Sequence, residues 1–306
     1  MLPTRLAHLC ILAIGILAIP ASTFAGTVST GKETKTVVPE EKLKETCITG
    51  DIGVTVVSQY ITRGLILENQ GAIVQPFADL YFKLYEGDGF LNKATLNLGI
   101  WASLHDQKTQ AGLASGAGRS TTRNWFEFDW TAGVSLVFAK NITFTPSIYS
   151  FTSPNDAFDT FYGLNLALAY DDTDLLGAFA LHPKVQVMFE LENKAGNGAD
   201  EGVYYEIAIA PGFPVGPVTV SFPIAAGFGS SDFYANDETY GFFTAGLSLG
   251  YGLSFVPECY GKWNVTTGAA YYHLGSALDT FNSPGIRPSE GREHEVIYSA
   301  GLVVAF

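Results

Sequence analysis

From residue 51 onward, apolar and polar residues alternate with a period of two through one segment after another, and no run of about 20 apolar residues breaks the pattern. A two-residue period sends successive side chains to opposite faces of a strand, so each segment carries one apolar and one polar face. In Ala94 to Leu104, the residues Ala94, Leu96, Leu98, Ile100, Ala102 and Leu104 share the apolar face, against Thr95, Asn97, Gly99, Trp101 and Ser103. Between Phe126 and Leu136 the even positions are apolar, and Glu127, Asp129, Thr131 and Ser135 take the other side. Twelve strands are predicted, at 52–61, 72–84, 93–104, 123–138, 141–151, 158–169, 183–192, 202–210, 216–227, 239–251, 263–273 and 294–306. In the last of these, Val296, Tyr298, Ala300, Leu302, Val304 and Phe306 form one face, with Glu295, Ser299 and Gly301 on the other. It is expected to pair with Gly53–Tyr60.

Charged residues make up 15% of the chain, low beside the roughly one quarter usual in soluble domains. A barrel with lipid outside and a polar lumen meets both observations, because its even number of antiparallel strands leaves no edge unpaired. The expected fold is therefore all-β: an antiparallel transmembrane outer-membrane β-barrel of about 12 strands. Residues 1–25 read as a secretory signal peptide, with Arg5 and His8 ahead of the apolar run Leu9 to Ile19 and small residues before Gly26. Residues 26–50 read as a polar periplasmic leader and 51–306 as the barrel. Export of this kind implies a bacterial outer membrane with both termini periplasmic. The implied partners are outer-membrane lipid and lipopolysaccharide, and the barrel-assembly machinery. A net charge of −13 argues against a nucleic-acid surface.

Alternate connections differ in length. Those at 61–71, 105–122, 152–157, 193–201, 228–238 and 274–293 read as extracellular loops, the others as periplasmic turns, with Leu175 to Leu181 apolar enough to hide an extra strand or a short helix. Aromatic residues near strand ends, among them Tyr60, Trp125, Phe126, Tyr149, Tyr204, Tyr205, Tyr271 and Tyr272, fit the two headgroup belts. Prolines 76, 146 and 223 fall inside strands, where bulges or register breaks are expected.

A charge facing lipid at the midplane costs about 2–4 kcal/mol for Arg or Lys, so strand charges should point inward or sit at a rim. That reasoning places Gln75, Asp79 and Lys83 inside on the second strand, Glu127 and Asp129 on the fourth, Lys184 and Glu190 on the seventh and Glu206 on the eighth. Glu295 falls at the rim of the last strand, and Arg63 lies just beyond the first, where it could clamp onto Asp79. Such a set serves either a water-filled constriction whose acids favour cations or a salt-bridge network filling a narrow barrel.

Signals for catalysis are weak. Ser103 and His105 lie two apart on one face, too far between Cβ atoms to pair readily and with no orienting acid in view. His273, Glu293 and His294 could meet at the outer rim, but nothing in the sequence fixes their geometry. No catalytic, cofactor or metal site is expected. Cys47 and Cys259 both fall on the periplasmic side, where a disulfide is permitted.

Gly53 to Gly64 ends in Ser58, Tyr60, Arg63 and Gly64, a Ser-x-Tyr-x-x-Arg-Gly pattern. Together with Gln75, Pro76, Asp79 and Leu80 and with Gly99, Trp101 and Ser103, it resembles a family of exported bacterial proteins long labelled conserved hypothetical. The resemblance implies an outer-membrane barrel and no catalytic residue. The leader at 26–50 departs from that family's short N-terminus. The expected function is a porin-like channel for passive passage of small polar solutes or ions. The alternative is a structural or adhesive barrel with a filled lumen.

Overall fold

The computed structural model describes residues 47–69, 71–106, 124–276 and 293–306. The signal peptide and almost all of the leader lie outside the described residues, as do most of the loops at 105–122 and 274–293. Among the described residues there are sixteen strands: β1 (Ile48–Val57), β2 (Tyr60–Thr62), β3 (Leu65–Glu68), β4 (Ile73–Glu86), β5 (Leu91–His105), β6 (Asn124–Phe138), β7 (Ile142–Thr152), β8 (Phe161–Tyr170), β9 (Lys184–Glu192), β10 (Val203–Ile209), β11 (Gly212–Val215), β12 (Val218–Ser221), β13 (Ile224–Gly229), β14 (Tyr240–Gly252), β15 (Lys262–Leu274) and β16 (His294–Ala305). β10 and β11 are halves of one wall strand broken at Ala210-Pro211, and β12 and β13 are halves of another broken at Phe222-Pro223. With β2 and β3 set aside, the wall has 12 strands, all antiparallel.

The wall closes on itself. β1 pairs with β4 on one side and with β16 on the other, the second ladder running from Asp51 opposite Ala305 to Val57 opposite Ser299. Each wall strand thereby has a paired neighbour on both sides. The outer face is apolar: Ile52, Leu84, Ile100, Ile148, Leu191, Ile207 and Tyr298 are all exposed, Ile207 at 54%. An exposed apolar surface on this scale is foreign to water-soluble domains. A closed antiparallel barrel of even strand number with this exterior and a polar interior is the architecture of bacterial outer-membrane barrels.

Three expectations need correction. The first wall strand runs from Ile48 to Val57, so Tyr60 and Ile61 are not in it, and 61–71 is not an outward loop. The prolines do not shift the register: Val74–Leu104 and Phe77–Trp101 flank Pro76 in one register, as Leu136–Phe144 and Gly133–Ser147 flank Pro146. Proline removes one donor without adding a residue, so a link is lost and the ladder resumes. A real bulge lies between Ser103 and Leu104, which pair with Glu127 and Trp125. The extra residue, Phe126, is turned inward and is 0% exposed, while Trp125 takes the outer position at 47%. The segment 171–182 holds a short helix, α1 (Thr173–Leu176), with a 3-10 turn after it.

Candidate functional site in the lumen

β2 and β3 form a hairpin that folds into the barrel. Its turn is the pair Arg63-Gly64, with φ of +48° and +85°. Two positive φ values in a two-residue connection match the twist of paired strands, and Gly64 takes the second without cost. The second arm is apolar: Leu65, Ile66 and Leu67 are buried and join a cluster with Ile73, Phe126, Tyr204, Phe233 and Tyr234. Placed outward as a loop, that arm would expose three aliphatic side chains. Folded inward, it removes them from water.

Polar contacts fix the hairpin to opposite parts of the wall. At its base, Gln59 Nε2 donates to Glu295 Oε2 at 2.9 Å. Tyr60 Oη donates to Glu127 Oε2 on β6 at 2.9 Å, and the Tyr60 ring lies beside Trp101, His105 and Phe126. At the tip, Tyr234 Oη donates to the Arg63 carbonyl at 2.8 Å, and the Arg63 guanidinium lies 4.7 Å from the centre of the Phe151 ring. Arg63 interacts electrostatically with Glu127, Asp129 and Glu190. The guanidinium stays charged, as arginine does in proteins. Glu190 is on β9, six strands from β1 in a ring of 12, so the hairpin reaches across the bore.

The carboxylates are themselves organised. Glu127, 2% exposed, stands on the same inward face of β6 as Asp129 two residues on. Glu190 accepts from the backbone N–H groups of Ala195 (2.5 Å), Gly196 (2.9 Å) and Gly202 (2.6 Å), drawing the 193–202 loop over the same end of the barrel. Phe233 and Tyr234 from the next loop are both fully buried there.

Towards the opposite end, where the connections are short, the lumen differs. Asp79 sits across from Asp51, and Gly99 leaves its place: a Cβ there would lie 2.4 Å from Asp79 Oδ1. Lys83 Nζ pairs with Glu86 Oε2 at 2.9 Å. Lys184 faces Glu206, which also accepts from Tyr204 Oη at 2.7 Å. Asp51, Asp79, Lys83, Lys184 and Glu206 are all partly exposed. The lumen is therefore wet and charged at the turn end and filled at the loop end. The expected clamp between Arg63 and Asp79 gives way to this division, with Arg63 among the acids of β6 and β9.

Ser103 and His105 do meet, contrary to the sequence-based expectation. Ser103 Oγ is 2.8 Å from His105 Nε2, Gln75 Nε2 is 3.5 Å from the same Oγ, and Glu68 Oε2 of the hairpin lies 3.9 Å from His105 Nδ1. The two side chains share the inward face of β5, opposite the Phe126 bulge of β6, and Glu68 escaped notice because its segment read as an outer loop. The signal was present in Leu65 to Leu67, an apolar run unsuited to an exposed loop. All three members of this chain are buried, Ser103 at 0% and Glu68 at 2% exposure, under the Phe126 ring stacked on His105.

Several rings assigned to the membrane belts line the lumen instead. Tyr60, Tyr149, Tyr204 and Tyr272 face inward, whereas Trp125, Tyr205 and Tyr271 face outward. Adjacent pairs such as Tyr204-Tyr205 must split between the two faces. Cys47 and Cys259 are both exposed. Among the described residues, two groups have the donor types for a metal ion: His273, Glu293 and His294, and Asp171, Asp172 and His182.

No family model matches the chain, and no curated protein matches it. The resemblance drawn from Ser58, Tyr60, Arg63 and Gly64 gains no support there. Among solved structures, an outer membrane channel from Pseudomonas putida F1 is similar at 13% identity, covering 89% of this chain and 100% of its own, with a TM-score of 0.49. The NanC porin is similar at 11% identity, covering 83% and 98%, with a TM-score of 0.44. The outer membrane phospholipase A from Escherichia coli is similar at 12% identity, covering 84% and 92%, with a TM-score of 0.43. No residue role is carried over from any of them.

Proposed function

We propose that the protein is an outer-membrane channel for small polar solutes or ions, favouring cations, with the β2–β3 hairpin as its gate. The observation that carries this reading is the asymmetry of the lumen. One end is partly exposed and lined by Asp51, Asp79, Lys184 and Glu206; the other is stopped by a short hairpin pinned mainly through its tip and base. A stopper attached by a few polar contacts can leave without unfolding the wall, and acids in excess along the path favour cations. The apolar cluster around Leu65, Ile73 and Phe126 favours a second reading, a permanently filled barrel. No catalytic role is assigned to Ser103, His105 and Glu68: a nucleophile needs a substrate within reach, and this trio is enclosed.

Conductance in planar bilayers separates the two readings. Wild-type protein should give small or infrequent openings. A variant with residues 60–68 replaced by a Gly-Ser segment of equal length should give large, steady, cation-selective steps. If that variant folds, as judged by heat-modifiable migration on a gel, and still does not conduct, the filled-barrel reading stands.

A further inference from the structure

His273 and His294 are direct cross-strand partners at the loop end of β15 and β16. Neighbouring positions fix their direction: Tyr271, Val296 and Tyr298 are exposed on the outer surface, while Tyr272 and Ile297 are buried inside. Both imidazoles therefore stand outside the barrel at its rim, with ring centres 5.2 Å apart. Glu293 is set beside them because its carbonyl accepts the Leu274 N–H at 2.7 Å and so extends the ladder by one more link. Its Oε2 lies 3.9 Å from His294 Nε2. One ligand atom from each of the three residues falls within 4.8 Å of the other two.

Two tyrosines orient the rings. Tyr271 Oη is 2.8 Å from His294 Nδ1, and its ring stacks on that imidazole. Tyr240 Oη is 2.8 Å from His273 Nδ1 and 3.2 Å from the His273 carbonyl. A phenol has one proton. When Tyr240 donates it to the carbonyl, its oxygen accepts from Nδ1–H, and the remaining lone pair of His273 is on Nε2. A metal-binding histidine needs this tautomer, held by a hydrogen bond at the far nitrogen.

We propose that His273, Glu293 and His294 form a zinc site on the outer rim of the barrel, with Tyr240 and Tyr271 as its positioning residues. Zinc takes imidazole nitrogen at about 2.0–2.1 Å in tetrahedral sites, so the ligand atoms must close by roughly an ångström, within reach of an exposed glutamate and a rim histidine. Two nitrogens and one carboxylate suit zinc and its transition-metal neighbours over magnesium or calcium, which take oxygen. Three protein ligands leave a fourth position, facing outward, for water or another oxygen donor. A bound ion would cross-link β15 to β16 where the loop leaves the wall. The second cluster is a poorer site, because the Asp172 carboxylate is already committed to the N–H groups of Leu181 and His182.

The test is titration of tag-free, chelator-stripped protein in detergent with ZnCl2 by calorimetry, and with CoCl2 by visible absorption. One zinc per chain and a tetrahedral cobalt spectrum are expected. His273→Ala or His294→Ala should weaken binding at least 100-fold, Tyr240→Phe or Tyr271→Phe about 10-fold, and His182→Ala should change nothing. A hundredfold excess of MgCl2 should not displace zinc. The proposal is overturned if wild type takes up no zinc at millimolar concentration, or if magnesium competes on equal terms. It also falls if the folded His273→Ala/His294→Ala double variant binds as wild type does, or if binding is lost with His182→Ala. None of these readouts depends on conduction, so the channel reading stands or falls separately.

Discussion

Phe126 and Phe128 are alike in sequence pattern and opposite in consequence. The bulge opposite Ser103–Leu104 turns Phe126 into the lumen, where it stacks on His105 at 4.6 Å and meets Tyr60 and Phe158. Phe128 stays on the outer face, in ring contact with exposed Trp125. Phe126→Ala should cost about 3–5 kcal/mol, the usual loss for emptying an aromatic site in a packed interior. Phe128→Ala should cost clearly less, since lipid or detergent fills the space; denaturant titration followed by gel migration measures both. Arg63 carries the opposite hazard. Arg63→Ala leaves Glu127, Asp129 and Glu190 without their cation, and breaking such a buried arrangement costs about 3–5 kcal/mol. It should destabilise the hairpin and raise the open fraction together; loss of stability with no rise in conductance would speak against gating. Ser103, enclosed beside His105, should resist fluorophosphonate labelling in the wild type. Labelling abolished by Ser103→Ala would reveal a reactive nucleophile and revive an enzymatic reading.

At the scale of the element, the turn at 171–182 is built around one carboxylate. Asp172 accepts from the N–H of Leu181 at 3.0 Å and of His182 at 2.8 Å, and these bonds hold its pKa low although burial alone would raise it. Asp171 is held low as well, by the hydroxyl and N–H of Thr173. A carboxylate with a depressed folded pKa stabilises the fold above its unfolded value, about 3.9, and loses that contribution as pH falls through the folded one. The Leu181 and His182 amides should thus be protected from hydrogen exchange at pH 6 and lose protection only as pH falls below the unfolded value of about 3.9. Asp172→Asn should show the acid-like exchange at pH 6. The sequence-based reading found all the wall strands, because period two is a local property printed along each one. It missed the hairpin and the bulge for a shared reason. Whether Leu65 to Leu67 turn outward or inward depends on Ile73, Phe126 and Tyr234, which are distant in sequence. One inserted residue at Phe126 reverses a face without altering composition. Candidate lumen positions such as Asp79 and Lys184 could be named from alternation, whereas the union of Glu68 with His105, or of His273 with His294, needs register and curvature.

Across the whole molecule, the lumen has two regimes, and a chemical probe can read them without assuming transport. The turn-end half offers partly exposed Asp79 and Lys184, while the loop-end half buries Tyr149, 8% exposed, together with Ser103 and Tyr204. In a Cys47→Ser/Cys259→Ser background, which removes both exposed thiols, Asp79→Cys should react rapidly with a small water-soluble thiol reagent. Ser103→Cys should react at least a hundredfold more slowly, because it is fully buried behind the hairpin. Adding Arg63→Ala should accelerate labelling at Ser103→Cys and leave Asp79→Cys unchanged, since only the loop-end half depends on the hairpin being seated. Equal rates at the two positions in the starting background would mean that water already passes the hairpin and that the bore is open throughout. A slow Ser103→Cys that Arg63→Ala fails to accelerate would mean that the cluster around Leu65 and Phe126, not the arginine, holds the loop end shut.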